Sequence, residues 1–223
     1  MMLSPTAFNA HLNKMGQRFD WRRAYFCPCR NPHSGSADPD CPNCNGKGYA
    51  WGAAVSGMSG IAGQKIQREW AQFGMWESGD VVLSIPSDSP LYAMGEFDRV
   101  TMTDSSQPFS VQIGSPDEPL RWPVVSVDRV YWLDDGVPVD AVLPTVASDG
   151  VTLQGLPLEP EEGEEADPEA ETGEPPSGVV LSVTGRRRPE YFCWGEYPSD
   201  RAHHGGQPLP RRVVLRRFDL YGR

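Results

Sequence analysis

Four of the chain's five cysteines fall within eighteen residues, CPCRNPHSGSADPDCPNC, positions 27 to 44. A run so rich in Pro, Ser, Asn and Asp has almost nothing apolar to bury. It can hold one shape only if its sulfurs are tied together. A metal ion, a pair of disulfides or a redox pair would each do so. The spacing is Cys27-x-Cys29, eleven residues, then Cys41-x-x-Cys44. A Cys-x-x-Cys pair turns both sulfurs toward one ion, and four thiolates satisfy the closed tetrahedral coordination of structural zinc. In CPNCNGKG, residues 41 to 48, glycine follows the second cysteine where the chain must turn back. Cys29 follows Cys27 more closely than in a standard knuckle, so His33 stands as an alternative ligand to one of that pair.

Compartment bears on the choice among the three. MMLSPTAFNAHLNKMGQRFD lacks a charged segment followed by an apolar run, and no stretch of eighteen apolar residues occurs. The expected setting is a reducing cytoplasm with no membrane span, where clustered cysteines bind metal more often than they form disulfides. The expected metal ligands are Cys27, Cys29, Cys41 and Cys44, holding a structural Zn2+ ion. A catalytic zinc is not expected, because four thiolates leave no open position. The fifth cysteine, Cys193 in EYFCWGEY, reads as a small buried hydrophobe.

The rest of the chain reads as mainly β. Gly and Pro supply 45 of the 223 residues, which favours turns and short strands. Strands are expected over 80–85, 96–104, 109–113, 124–133, 150–155, 178–185, 189–197 and 211–220, with Asp135-Gly136 as a hairpin turn. This spacing predicts a β-sandwich or barrel body. A short helix is expected over 4–16, capped by Ser4 and Pro5 and ended by Gly16. The Gly-rich stretch 48–63 reads as a flexible arm, and 65–73 as a helical turn or a twisted strand. The expected division is residues 1–63, an N-terminal helix and cysteine arm, followed by 64–223, the β-rich body.

Charge is concentrated in one place. EPEEGEEADPEAETGE, residues 159 to 174, carries nine acids and no base. The net charge of −10 therefore leaves the remainder near neutral. Such a stretch cannot repay its ordering entropy, so 157–177 is expected to be a disordered acidic insertion. A strongly basic surface for gripping nucleic acid is absent from the totals. The arginine runs 186–188, 211–212 and 216–217 read as surface charge on edge strands, and His203-His204 as a solvated turn. Arg18, Arg22, Arg23, Arg30 and Lys47 lie around the cysteines and keep a nucleic-acid-binding module as a rival reading.

No phosphate-binding loop, nucleophile elbow or H-E-x-x-H motif occurs. Asp98 with Asp104, or Asp134 with Asp135, are the candidate acid pairs for a hydrolase. Acids of this kind are usually turn and surface residues, so the expectation is no enzyme.

CPNCNGKG resembles the C-x-x-C-x-G-x-G zinc-binding repeat of the DnaJ chaperone family. The match covers eight residues; it supports zinc and not chaperone activity. More broadly, GQRFDWRRAYFCPCRNPHSGSADPDCPNCNGKGYAW (16–51) resembles virion structural proteins of tailed bacteriophages. So do GMWESGDVVLSIPSDSPLYAMGEFDRV (74–100), PPSGVVLSVTGRRRPEYFCW and LPRRVVLRRFDLYGR. The resemblance implies a neck component of the virion: a head-to-tail connector, head-closure or tail-attachment protein. It would form a homo-oligomeric ring and meet portal, adaptor or tail proteins. Genomic DNA would pass through the lumen without specific binding. The alternatives are a zinc-ribbon nucleic-acid-binding or phage assembly protein, and a tail-tip or baseplate component.

Overall fold

The computed structural model describes residues 4–115, 118–155, 175, 178–198 and 201–221. The expected disordered insertion, 157–177, lies outside the described residues apart from Pro175. In chain order the elements are α1 (Pro5–Met15), β1 (Gln17–Arg22), β2 (Ala24–Phe26), β3 (Tyr49–Trp51), β4 (Val55–Ile61), α2 (Gln64–Gln72), β5 (Val81–Ile85) and β6 (Arg99–Met102). They continue as β7 (Gln107–Ile113), β8 (Val124–Asp134), β9 (Val137–Asp140), β10 (Thr145–Val146), β11 (Leu153–Gln154) and β12 (Leu181–Arg187). The last four are β13 (Glu190–Glu196), β14 (His203–His204), β15 (Gln207–Pro208) and β16 (Arg211–Arg217). The chain is mainly β, as the turn-rich composition predicts.

Two units result. The first comprises 1–104 and 189–223, the second 105–188. The division expected at residue 63 therefore gives way to a different one. Two strands of the supposed arm, β1 and β4, are staves of a closed six-stranded barrel, ordered β1-β4-β5-β16-β13-β6. The Gly-rich stretch forms β4 rather than a flexible loop, and close approach explains its composition. A Cβ on Gly60 would lie 2.7 Å from Leu12 of α1, and one on Gly57 would lie 2.9 Å from Leu91. Glycine lets these neighbours lie directly on the strand.

The barrel interior follows period-2 alternation. Phe19, Leu83, Ile85, Val100, Val213 and Leu215 are wholly buried there. The alternate residues Val82 and Val214 face outward and are covered by Trp70, on α2, together with Tyr197. Residues 64–72 thus settle as a helix because Trp70 is needed as a cap on the barrel wall. α1 begins as expected, with Ser4 Oγ accepting from the Ala7 amide (3.3 Å).

The arginine runs are not on edge strands. β16 lies between β13 and β5, and β12 lies between β7 and β8. Arg216 is buried: its Nε and Nη2 donate to the two oxygens of Asp80 at 3.1 and 3.0 Å. Trp70 Nε1 donates to the same carboxylate (3.1 Å), and Trp194 lies 4.1 Å from the guanidinium carbon. His203 and His204 pair with Pro208 and Gln207 as a two-rung hairpin.

The second unit is a four-stranded antiparallel sheet, β7-β12-β8-β9, with the small β10–β11 pair. Its core is Ile113, Leu120, Val130, Trp132, Leu153, Leu181 and Val183. Only Leu153–Gln154 of the expected strand 150–155 is extended into a ladder. Asp135 and Gly136 adopt positive φ values of 46° and 83°, as the tight β8–β9 turn requires. Gly185 sits at an irregularity in the β12–β8 register, where an added Cβ would meet the Ser126 carbonyl oxygen at 2.1 Å. Gly185→Ala is expected to lower stability by about 1–3 kcal/mol, since backbone must move to admit the methyl. Urea unfolding of the two proteins measures the difference.

Candidate metal centre

The residues after β2 and before β3 carry the cysteines, and the two strands bring the ends of that segment together. Phe26 pairs with Tyr49, and the Cys27 amide donates to the Gly48 carbonyl (2.9 Å). Two tight turns then aim the sulfurs inward. Arg30 N donates to Cys27 O (3.0 Å), and Asn45 N donates to Cys41 O (2.8 Å). Asn45 and Gly46 take the left-handed conformation, φ 48° and 77°, which the composition CPNCNGKG anticipates.

The result is a compact group. The Sγ atoms of Cys27, Cys29, Cys41 and Cys44 all lie within 4.8 Å of one another. Cys27 and Cys41 are 3.7 Å apart, and Cys29 and Cys44 3.5 Å. Thiolates about 2.3 Å from a tetrahedral ion lie about 3.8 Å apart, so the set could hold one metal ion with little adjustment. All four are unbridged thiols. Cys29 therefore belongs to the cluster despite its tight spacing from Cys27. His33 does not: it is exposed, with its amide donating to Asn31 Oδ1 (2.8 Å).

The thiols differ in acidity. Backbone hydrogen bonds from Asn43 and Cys44 bring Cys41 down to about 7. A backbone hydrogen bond from Asp38 favours the Cys29 thiolate, but burial and the neighbouring sulfurs outweigh it and push Cys29 up to about 12. At neutral pH Cys41 is the ready first ligand, and a cation must drive the proton from Cys29. Metal uptake by the metal-free protein at pH 7 is thus expected to acidify a weakly buffered solution.

Cations and aromatic rings surround the group. Gly48 N–H points at Cys44 Sγ (3.3 Å). The Arg30 guanidinium lies over Phe26 (4.5 Å), and its Nη1 donates to the Tyr49 hydroxyl (3.3 Å). The Lys47 ammonium lies 4.4 Å from the Phe218 ring centre. Burial lowers the Lys47 pKa, and the Arg99 charge lowers it further. A divalent ion with four thiolates carries about two excess negative charges.

Aromatic packing fixes this assembly to the barrel. Tyr49 stacks on Phe97 at 4.9 Å, and Trp51 Nε1 donates to the Phe97 carbonyl (3.1 Å). Phe218 and Tyr221, just beyond β16, pack edge-on against Trp51 at 5.3 and 5.9 Å. Trp21, at the end of β1, is in the barrel core, with Nε1 donating to Asp98 Oδ2 (2.7 Å).

The candidate acids have other partners. Asp98 is buried and also accepts from the amides of Ala24 (2.7 Å) and Gly95 (2.8 Å), so it fastens the start of β2 to the barrel. Asp104 accepts from the Arg18 amide (2.9 Å). Asp134 and Asp135 are exposed at the β8–β9 turn. Cys193 is buried in the barrel, and that burial, with the nearby Asp98 charge, pushes its thiol up to about 12.

No protein-family model matches this chain, and no curated protein is significantly similar to it. Among the described residues no helix is long and apolar enough to cross a membrane.

Proposed function

We propose that the chain is a non-enzymatic structural subunit of a tailed-phage virion, held in shape by one zinc ion on Cys27, Cys29, Cys41 and Cys44. The observation that carries the structural-metal part of the reading is the cluster of four cysteine sulfurs, tied by its flanking strands and rings to a closed β-barrel. Four thiolates leave an ion no open position, so its contribution is to shape, and soft sulfur donors in a tetrahedron suit zinc. The virion assignment rests on the sequence resemblance over 16–51, 74–100 and the C-terminal stretches. Within the virion the neck is the favoured location, in a ring that meets portal, adaptor or tail proteins. A body near neutral outside its acidic stretch suits a lumen through which DNA passes without being gripped.

Quantitative mass spectrometry of purified, DNA-filled particles tests this. The chain is expected at a low, ring-like copy number against the major capsid protein. Its absence from particles would overturn the structural reading. The second reading, a nucleic-acid-binding or assembly protein, would then lead, supported by Arg22, Arg23 and Arg30 near the exposed rings of Tyr25 and Phe26.

A further inference from the structure

The segment just beyond β16 is held by contacts that the barrel core does not use. Residues Phe218–Leu220 form a short 3-10 helix, and the Tyr221 amide donates to the Phe218 carbonyl (3.1 Å). None of the four belongs to the barrel core. Rings hold them instead. Tyr221 packs edge-on against Phe192 of β13 (5.0 Å), Trp51 (5.9 Å), Tyr49 (6.0 Å) and Phe97 (6.1 Å). Phe218 stacks on Tyr221 (5.8 Å) and meets Trp51 edge-on (5.3 Å). Phe97, Arg99 and Phe192 are its partners on the barrel side; Lys47, Tyr49 and Trp51 come from the cysteine segment and the strand that follows it.

Two features show that this arrangement is held under opposition. Lys47 Nζ and the Arg99 guanidinium carbon each lie 4.4 Å from the centre of the Phe218 ring. Two like charges thus gather at one ring, whose negative face is what favours them there. Phe97 takes a φ of 67°, in the left-handed region that a ring-bearing residue rarely enters. Such a backbone persists only where its surroundings fix it. Here the Phe97 amide donates to the Cys193 carbonyl (2.8 Å), Trp51 Nε1 donates to the Phe97 carbonyl (3.1 Å), and the rings of Tyr49 and Tyr221 flank its side chain.

We propose that residues 218–221 are a metal-dependent strap: loading the cysteine segment with its ion closes the strap, and loss of the ion releases it. The segment 27–48 has no core beyond its sulfurs. Lys47 and Tyr49 follow the last cysteine by three and five residues, so their positions depend on how that segment is held. Without the ion the strap keeps its barrel partners and loses the other three. The coupling is reciprocal, so the strap strengthens ion binding by the factor with which the ion strengthens strap docking. Release bares Phe218 and Tyr221 and uncovers Trp51 and Phe192, so the loaded and metal-free chains present different aromatic surfaces to a partner. This rests on the metal part of the proposed function and adds a means by which the state of the centre is signalled elsewhere on the molecule.

Two measurements on the full chain under reducing conditions test it. The first is limited chymotrypsin digestion followed by mass spectrometry, with zinc and after its removal by a chelator. Cleavage after Phe218, Leu220 or Tyr221 is expected about tenfold faster in the metal-free chain, while β5 and β16 stay uncut. The second is zinc affinity by competition with a chromophoric chelator. Phe218→Ala is expected to bind zinc about tenfold more weakly than the native chain. Phe73→Ala removes a ring that packs on Trp70 and Tyr197, away from the strap, and is expected to bind zinc as the native chain does. Circular dichroism confirms that both variants keep their β structure. Equal cleavage of 218–221 with and without zinc would overturn the proposal. So would native zinc affinity in Phe218→Ala, or an equal loss in Phe73→Ala, which would mark general destabilisation. Each of these leaves the metal centre standing, whereas a native chain that takes up no zinc removes the metal reading and the strap's dependence on it together.

Discussion

Cys44→Ser is expected to abolish stoichiometric metal binding while leaving most of the β signal in circular dichroism. Serine keeps the shape but offers no thiolate, and Cys44 is buried at the centre of the cluster, 3.5 Å from Cys29. The segment 27–48 has no apolar core of its own beyond these sulfurs. Without an ion, its turns lose what holds them, whereas the barrel keeps its eleven buried core residues. The damage then spreads to β2 and β3, which end at the first cysteine and begin just past the last. Limited proteolysis of Cys44→Ser is expected to cut within 27–48 at protease levels that spare the native chain. On the proposed function, incorporation into virions should be lost with it. Normal metal content in this variant would remove Cys44 from the ligand set.

Asp98→Ala is expected to cost about 3–5 kcal/mol of stability. Three donors converge on this one buried carboxylate: the Trp21 indole and the amides of Ala24 and Gly95. Alanine strands all three away from water, and each buried donor left without an acceptor costs about 1–3 kcal/mol. Asp98→Asn is expected to be milder. An amide oxygen at the Oδ2 position still accepts from Trp21 and Gly95, and only the Ala24 amide then faces a donor. Urea unfolding of the three proteins gives the order native, Asn, Ala from most to least stable. Equal stability of native and Ala would mean that water replaces the carboxylate. The Asp80–Arg216 pair, with Trp70 as a third partner, is a second anchor of this kind on the opposite face of β16 from the barrel core.

Both anchors were hidden in the sequence for the same reason. Asp98 lies 77 residues from Trp21, and Asp80 lies 136 from Arg216. No local pattern marks a carboxylate whose donors arrive from distant strands, so such acids read as turn residues or hydrolase candidates. Arg216 reads as surface charge on an edge strand, but β16 is an interior stave, and Trp70 of α2 and the loop before β5 bury the guanidinium beside Asp80. What was legible had short range. The cysteine group, the helix after Ser4 and the Asp135-Gly136 turn each depend on spacing within a few residues. Mainly β character also followed, because it depends on alternation and turn residues summed along the chain.

The Gly-rich stretch 48–63 shows the limit most clearly. Glycine signals flexibility when read alone, yet Gly57 and Gly60 are there because Leu91 and Leu12 press on β4. The long-range contact decides the strand. The same fact moves the division of the chain: once β1 and β4 are barrel staves, the cysteine segment is the connection between β2 and β3, and 105–188 becomes the separate unit.

Elemental analysis of the native chain, purified under reducing conditions without chelator, tests the central claim most directly. About one zinc ion per chain is expected. Cobalt substitution should then give the visible bands and intense thiolate-to-cobalt absorption of a tetrahedral four-sulfur site. A chain that is folded, contains no zinc, gives no such spectrum with cobalt and shows all four cysteines as free thiols or disulfides would contradict it.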